Sequence, residues 1–366
     1  MVRLWSPKPG IQVRILALPH ISNGRYPSLP INIMDPIPKR KIVIGFFLFI
    51  SLIILWQIYA PQSLQSVPPV IYTVLKGQGN KEIAEDLKNQ GIIKNPWFFR
   101  LYVVMSGKHQ KLQAGSYEIS PSISVAQIVK KLTSGDVIKN TVTIIEGWNI
   151  NDIGQYLESK KICTRADFSE SVKKDYSNSF EFLKTKPQKL SLEGYIFPDT
   201  YQLAIDGTPE TLLKTALANF DKKLTPQLRE EIALQKKTIF QIITMASLIE
   251  KEVRSPEDKK IVAGILWKRL ENNMLLQVDA TINYITGKNN PSSTIKDTTI
   301  DSPYNTYKYP GLPLGPISNA GIESILAAIY PQKSDWWYYL SAPETKKTIF
   351  SKTLEEHNTA VAKYLR

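Results

Sequence analysis

The stretch TIFQIITMASLIEKEVR, residues 238–254, is an apolar run that is interrupted near its end by Glu250. Residues 239–249 are apolar around almost the whole circumference of a helix, which predicts a central, buried helix. At helical spacing, Glu250 shares its face with four residues: Ile243, Ala246, Ser247 and Val253. Lys251 and Glu252 lie at other angles and are expected to reach solvent.

A carboxylate on an apolar helix face is costly unless it is paired or protonated. Burial disfavours the charged form of a carboxyl group, which is how a glutamate becomes a general acid near neutral pH. The pattern alone leaves two interpretations of Glu250 open. It is either the polar end of a core helix, paired for example with an arginine, or a catalytic acid.

A second candidate segment is LEGYIFPDTY, residues 192–201. Gly194 allows a tight backbone, and Phe197-Pro198-Asp199 is typical of a turn. Aromatic side chains on a turn next to carboxylates suit sugar rings, whose apolar faces stack on them. An ordinary packed loop explains the same pattern equally well.

A third set of candidates is spread over the segments QVDAT (277–281), SPYNTY (302–307) and GLPLGP (311–316). The second segment is a dense hydrogen-bonding set, and the surrounding Pro and Gly stiffen the loop. Long loops of this kind are usually functional. Taken singly, each segment is a weak signal.

Composition narrows the chemistry that the 366-residue chain can carry out. Cys163 is the single cysteine, so neither an internal disulfide nor a Cys-based zinc site can form. The three histidines, His20, His109 and His357, are too far apart in sequence to favour a metal cluster or a Ser/His/Asp triad. Carboxylates are therefore expected to do the chemistry, without a metal or cofactor. The net charge of +13 indicates either solubility or affinity for an anionic polymer or surface.

Residues 42–60, IVIGFFLFISLIILWQIYA, carry no charge and match the roughly 20 residues of a membrane-spanning helix. Lys39-Arg40-Lys41 precede them, which places the N-terminus in the cytoplasm and the rest of the chain outside. A cleaved signal peptide is the alternative, but Tyr59-Ala60-Pro61 fits a cleavage site poorly. Residues 1–41 are expected to form a disordered cytoplasmic tail, with Met34 as a hypothetical natural start.

The remaining chain is expected to form an α+β structure in two parts. After a linker at 61–69, residues 70–136 predict a small strand–helix–helix–strand module, either a spacer or a carbohydrate-binding module. Residues 137–366 predict a larger mixed α/β domain with a loop-rich region at 287–320. Its predicted helices lie near 150–160, 166–174, 208–223, 226–234, 238–253, 256–273, 321–330 and 352–364.

Taken in order, these motifs resemble those of the endolytic murein transglycosylase family, the MltG or YceG-like proteins. The resemblance covers roughly residues 70–364 and the N-terminal apolar segment. It rests on LEGYIFPDTY (192–201), MASLIEKEV (245–253), GILWKRL (264–270), LQVDAT (276–281), SPYNTY (302–307), GLPLGPISNAG (311–321) and TIFSKTLEEHN (348–358).

The resemblance implies a LysM-like module at 70–136 and a catalytic domain at 137–366, on the outer side of the plasma membrane. It implies lytic cleavage between MurNAc and GlcNAc, which leaves a 1,6-anhydro-MurNAc end and terminates strand growth. Glu250 falls on the catalytic glutamate of the family and would act first as acid and then as base. The residues expected to bind the glycan are Glu193, Tyr195, Asp199, Gln277, Asp279, Tyr304, Asn305, Thr306 and Tyr307.

The expected partners are peptidoglycan glycan strands and penicillin-binding synthases, and no nucleic acid is expected. Two other functions remain open on the sequence. One is a catalytically inactive, peptidoglycan-binding scaffold of the wall-synthesis machinery. The other is a hydrolysing muramidase, whose product would be one water heavier than the anhydro form.

Overall fold

A computed structural model describes residues 38–288, 294–342 and 347–364. Most of the expected cytoplasmic tail, residues 1–37, and the start-site hypothesis at Met34 lie outside this part. The chain divides into two units, residues 1–54 and 55–366.

Helix α1 (Lys39–Tyr59) has 21 residues, and an 18-residue window within it has a mean hydropathy of 2.5. Most of its side chains are exposed. Of the helices in the described ranges, it alone is long and apolar enough to cross a membrane. A signal sequence near the N-terminus has the same properties.

The small predicted module is present as five elements: β1 (Val70–Val74), α2 (Asn80–Asn89), α3 (Pro96–Met105), β2 (Gly115–Ile119) and α4 (Val125–Ser134). The strands β1 and β2 are antiparallel, with Tyr72 opposite Tyr117. Both tyrosines belong to a hydrophobic cluster shared with all three helices. The preceding segment contacts this module, because Pro61 forms a β-bridge with Ser124.

The larger part contains a second, more extensive hydrophobic cluster. Its helices are α5 (Ile150–Ser159), α6 (Arg165–Ser171), α7 (Pro209–Lys223), α8 (Pro226–Leu234), α9 (Ile239–Glu252), α10 (Pro256–Glu271), α11 (Asp279–Thr286), α12 (Ile295–Thr298), α13 (Ile322–Ile329) and α14 (Leu354–Tyr364). Its strands are β3 (Lys139–Thr143), β4 (Thr200–Ala204), β5 (Tyr338–Ser341) and β6 (Thr348–Ser351), and a 3₁₀ helix spans Glu181–Thr185. Strand β3 pairs with β4 and β5 with β6, each pair antiparallel. The expected mixed α+β class is confirmed.

Helix α9 is the central helix that the apolar run predicts. It begins with a capping box, in which Thr238 and Gln241 satisfy each other's backbone amides. All residues from Ile242 to Ile249 are buried. The helix contacts α8, α10, α11 and α13, so it lies at the centre of the larger part.

The segment 317–321 follows the loop-rich region and docks on α9. Ile317 N donates to Ser247 Oγ at 3.0 Å, and Ser318 Oγ donates to Ser247 O at 3.1 Å. Both groups of Ser247 are buried, so these bonds fix the segment to the helix. This docking places the start of α13 beside the last turn of α9.

Four elements were not predicted from the sequence: the 3₁₀ helix, β4, α11 and α12. Strand β4 is five residues long, too short for a clear period, and it forms because Tyr201 pairs with the distant Val142. Helix α11 starts at Asp279, inside a motif for which the sequence predicts glycan binding but no helix. It ends at Gly287, whose φ of 67° is the left-handed conformation common after helices.

Candidate active site

Glu250 lies on the last turn of α9, and its side chain is 8% exposed. Its Oε2 accepts hydrogen bonds from Ser324 Oγ at 2.6 Å and from Gly321 N at 3.1 Å. Both donors belong to the start of α13, which the docked segment 317–321 brings to this position. As expected, the residues that share the helix face of Glu250 are buried: Ile243, Ala246, Ser247 and Val253.

Lys259 supplies the opposite charge. Its Nζ lies 3.4 Å from Glu250 Oε2 and 3.5 Å from Oε1, and its side chain is 4% exposed. Glu323 approaches the same ammonium group at 3.9 Å from a half-exposed position. The partner of Glu250 is thus a lysine of α10 and not an arginine.

Glu146 brings a second carboxylate to the same place. It follows β3, and its carboxylate lies against Gly321, where a β-carbon would overlap with it. Only glycine at position 321 therefore allows this approach. Burial and the charge of Glu250 raise the pKa of Glu146, while Lys259 acts in the opposite direction.

The turn after Glu146 is held in place by α9 and by segment 317–321. Gly147 has a φ of 78°, which favours glycine. Its N–H donates to Asn319 O at 2.8 Å, and its carbonyl accepts from Lys251 Nζ at 3.3 Å. These bonds connect the end of α9, the Glu146 turn and segment 317–321.

Glu193 is a buried carboxylate in a separate network. It accepts from Ile150 N at 3.1 Å, Asn319 Nδ2 at 3.2 Å and Tyr284 Oη at 3.3 Å. Burial is the largest influence and raises the pKa of Glu193 to about 8, against the hydrogen bonds from Ile150 and Tyr284. The side chain is enclosed at the start of α5, so it positions backbone and other side chains.

Glu252 is half-buried, although the helical pattern predicted that it would reach solvent, whereas Lys251 is exposed as expected. The carboxylate of Glu252 accepts from Tyr339 and from Ala280 N, and it lies near Asp279 and Arg269. Burial, followed by the charge of Asp279, raises the pKa of Glu252 to about 7. The prediction failed because α11 and β5 cover this side of α9, and neither contact is visible in the local sequence.

The motifs at 276–281 and 302–307, which supplied most of the third set of candidate residues, contact each other in the structure. Thr306 Oγ1 accepts from Val278 N at 3.0 Å, and Gln277 N donates to Thr306 O at 3.1 Å. Tyr307 Oη donates to Asp279 Oδ1 at 2.8 Å. Gln277 is exposed, Asp279 and Tyr307 are half-buried, and Thr306 is buried. Asp279 belongs to the surroundings of Glu252.

The remaining predicted residues occupy different environments. Tyr304 is half-buried, and its ring lies 5.0 Å from that of Tyr284. Asn305 is buried and donates to Thr298 O and Ile300 O within its own loop. Tyr195 is in the core against Phe182 and Phe220, with no exposed surface.

Asp199 is exposed and accepts from Thr200 N at 2.7 Å and Asn219 Nδ2 at 2.8 Å. These bonds lower the pKa of Asp199. Its side-chain partners lie on β4 and α7, whereas those of Glu250 lie on α10 and α13.

Sequence reasoning missed several site residues: Glu146, Lys259, Gly321, Ser324 and Tyr284. Glu146 stands before a glycine at the end of a strand, a pattern that indicates a turn but gives no function. Lys259 lies in a charged helix start that is typical of a solvated surface. Among the described residues, no three His, Cys, Asp or Glu side chains are grouped as metal ligands would be.

Comparisons with known proteins identify the family of the chain. The sequence profile of the YceG-like family matches residues 72–363. A protein of Bacillus subtilis (strain 168) named endolytic murein transglycosylase is 34% identical over 319 residues, which are 83% of this chain and 87% of that protein. A protein of the same name from Streptococcus pneumoniae serotype 2 is 30% identical over 363 residues, which are 89% of this chain and 65% of that protein.

A crystal structure of a yceG-like protein from Listeria monocytogenes is also similar. It superposes with a TM-score of 0.56 and 34% sequence identity, covering 81% of this chain and 100% of that chain. The family match, at residues 72–363, includes the part of the chain that carries Glu146, Glu250 and segment 317–321.

Proposed function

The chain belongs to the YceG-like family, and on this basis we propose that it is a lytic transglycosylase that cleaves the glycan strands of peptidoglycan. The substrate class comes from the relatives named endolytic murein transglycosylase. The observation that carries the proposal is Glu250, an almost buried carboxylate that is paired with Lys259 and bonded to Ser324 and Gly321.

The reaction needs a group that gives a proton and a group that takes one. A protonated carboxyl gives its proton to the glycosidic oxygen between MurNAc and GlcNAc, and the bond from that oxygen to C1 of MurNAc breaks. The C6 hydroxyl oxygen of the same MurNAc then bonds to C1, and its proton passes to a carboxylate. The product ends in 1,6-anhydro-MurNAc, and no water is consumed. In the simplest form of this mechanism, Glu250 performs both transfers in turn.

The contacts of Glu250 support this role. Oε2 accepts from Ser324 and Gly321, whereas Oε1 has Lys259 as its single hydrogen-bond partner in the described part of the chain. Oε1 therefore retains capacity for a bond to the substrate. The ammonium group of Lys259 compensates the charge of the carboxylate once its proton has left.

Of the predicted glycan-binding residues, the accessible ones are the best candidates for direct contact: Gln277, Asp279, Tyr304 and Tyr307. Asp199, which is exposed beside α7, is a candidate for a more distant sugar. The buried residues Asn305 and Thr306 shape the loop, and Glu193 orients Asn319 and Tyr284. Tyr195 is excluded from direct contact because it has no exposed surface.

The remaining expectations complete the proposal. Helix α1 anchors the chain in the plasma membrane as a single span, with residues 1–41 in the cytoplasm and the rest outside. Residues 70–136 act as a LysM-like module that holds glycan, and an open surface pocket of about 280 Å³ on α3, next to Asn80, includes the half-exposed Trp97. Cleavage of nascent strands next to penicillin-binding synthases would terminate their growth.

The test is digestion of purified glycan strands by the full chain in detergent, with products identified by mass spectrometry. Glu250→Gln and Glu252→Gln are compared, because the two residues lie on the same helix turn but in different networks. We expect anhydro ends from the unaltered protein and no product from Glu250→Gln. Loss of product in Glu252→Gln alone would remove Glu250 from the mechanism. No product from the unaltered chain would favour the scaffold, and a product one water heavier would favour a muramidase.

A further inference from the structure

Two carboxylates, those of Glu146 and Glu250, approach the same glycine. Gly321 N donates to Glu250 Oε2 at 3.1 Å, while the Glu146 carboxylate occupies the space where a β-carbon of residue 321 would lie. Gly147 lies next to this pair, because a β-carbon there would be in ordinary van der Waals contact with Glu250 Cγ at 3.7 Å. Gly321 thus allows two acids from distant parts of the chain to face one small region.

The surroundings of the two acids differ. Glu250 receives donors from Lys259, Ser324 and Gly321, an environment that suits a carboxylate. The charged groups that face Glu146 are Glu250 on α9, Lys259 on α10 and Glu323 on α13, so two of the three are acids. Burial and these acids raise the pKa of Glu146, which favours its protonated form. Glu146 as a residue is also more exposed than Glu250.

We propose that Glu146 is a second catalytic residue, which donates the proton to the glycosidic oxygen, while Glu250 takes the proton from the C6 hydroxyl. This inference rests on the proposed function and divides its two proton transfers between two groups. Enzymes that cut glycosidic bonds commonly assign such transfers to a pair of carboxyl groups whose environments differ.

The step balances. The O–H bond of Glu146 breaks as the glycosidic oxygen leaves C1 with that proton. The C6 oxygen bonds to C1, and its proton moves to Glu250. Glu146 is then ionised and Glu250 protonated, so one proton must return from Glu250 to Glu146 before the next turnover. The position of both groups beside Gly321 makes this return path short.

A proton donor to a leaving group can be recognised by changing the leaving group. A 4-nitrophenyl β-glycoside of the GlcNAc-MurNAc disaccharide releases a phenolate, which departs without protonation. Full-length Glu146→Gln in detergent is expected to lose about 10²–10⁴-fold in kcat on glycan strands, the usual contribution of general acid catalysis. On the nitrophenyl glycoside it should stay within about tenfold of the unaltered protein, because that substrate needs no acid. Glu250→Gln should be inactive on both substrates.

Two further variants complete the design. Glu181→Gln, at a side chain that is 81% exposed and paired with Lys184, is the control and should retain activity on both substrates. Glu146→Asp keeps an acid at the position. Its rate on glycan should still fall at high pH, where the acid ionises, whereas this fall should be absent in Glu146→Gln. Thermal unfolding of each variant measures folding independently.

The outcomes separate the two proposals. If Glu146→Gln is active on glycan, or loses activity equally on both substrates, the role of Glu146 is overturned while that of Glu250 stands. If the unaltered protein forms no anhydro product, the proposed function itself fails.

Discussion

Lys259 Nζ lies 3.4 Å from Glu250 Oε2, and the two side chains are only 4% and 8% exposed. The pair joins the first turn of α10 to the last turn of α9. In such a pair each charge is tolerated because the other is present, so removal of either leaves an uncompensated buried charge.

Replacement of Lys259 should therefore destabilise the fold. Lys259→Met removes the ammonium group and keeps most of the side-chain volume, and we expect a loss of roughly 3–5 kcal/mol in the free energy of unfolding. Denaturant unfolding of the full chain in detergent measures it. The neighbouring Lys260 is exposed, so Lys260→Met is the matched control and should change little. Equal stability of the two variants would show that the pair is not essential to the fold.

Gly321→Ala should affect activity more than stability. The added methyl group meets the carboxylate of Glu146, the end of a flexible side chain that can move away. Gly264→Ala is the contrasting variant, because its methyl group meets the backbone carbonyl of Gln332. Thermal unfolding should show a large loss of stability for Gly264→Ala but not for Gly321→Ala. A glycan-digestion assay should show a loss of activity for Gly321→Ala. Normal digestion by Gly321→Ala would contradict the importance of the Glu146 position.

The stability of the protein should fall as pH rises between about 4.5 and 8. In this window Glu193 is ionised in the unfolded chain but protonated in the folded one, since burial raises its pKa from 4.5 to about 8. The folded state then binds more protons, so this one group lowers the free energy of unfolding by at most about 1.4 kcal/mol per pH unit. Glu252, with a pKa of about 7, acts in the same direction.

Glu193→Gln tests this dependence, because it removes the titrating group and keeps the shape. Its unfolding free energy, measured from pH 4.5 to 8, should vary less than that of the unaltered chain. Glu181→Gln, at a side chain that is 81% exposed, should leave the dependence unchanged. A slope that is identical in all three proteins would place the titration elsewhere.

Thr306→Val should weaken both the loop and glycan binding, although the side chain is buried and does not touch the substrate. The variant leaves Val278 N without the acceptor that now lies at 3.0 Å. An unsatisfied buried N–H costs about 1–3 kcal/mol. We expect lower stability and a raised KM with a smaller change in kcat. Thr306→Ser keeps the hydroxyl and should leave the KM near that of the unaltered protein. A KM raised as much in Thr306→Ser as in Thr306→Val would show that the hydroxyl is not what holds the loop.

The sequence predicted those features that depend on neighbours along the chain. The helices predicted near 208–223 and 256–273 are found as α7 and α10, and the apolar run identifies α9 as the central helix. Glu250 is recognisable because it interrupts that run, and its assignment as the catalytic group stays a prediction until the variants are measured.

Features that depend on distant contacts could not be predicted in the same way. Lys259 is an ordinary charged residue of a helix start until α13 and α9 enclose it. Glu146 gains its position from the absence of a side chain at Gly321, which lies far along the chain. Glu252 was expected to reach solvent, because the sequence does not show that α11 and β5 cover it. Both elements are short and are connected through loops.

Segment 317–321, which Ser247 anchors to α9, also determines when the site can exist. The bonds to Glu250 span 71 and 74 positions of sequence, and the bond between Asn319 and Glu193 spans 126. Contacts of such long range form late in folding. Because ribosomes make the chain from its N-terminus, Glu146 and Glu250 both emerge before Gly321 and Ser324. A chain that has not yet been completed past α13 therefore carries both acids but lacks the assembled site.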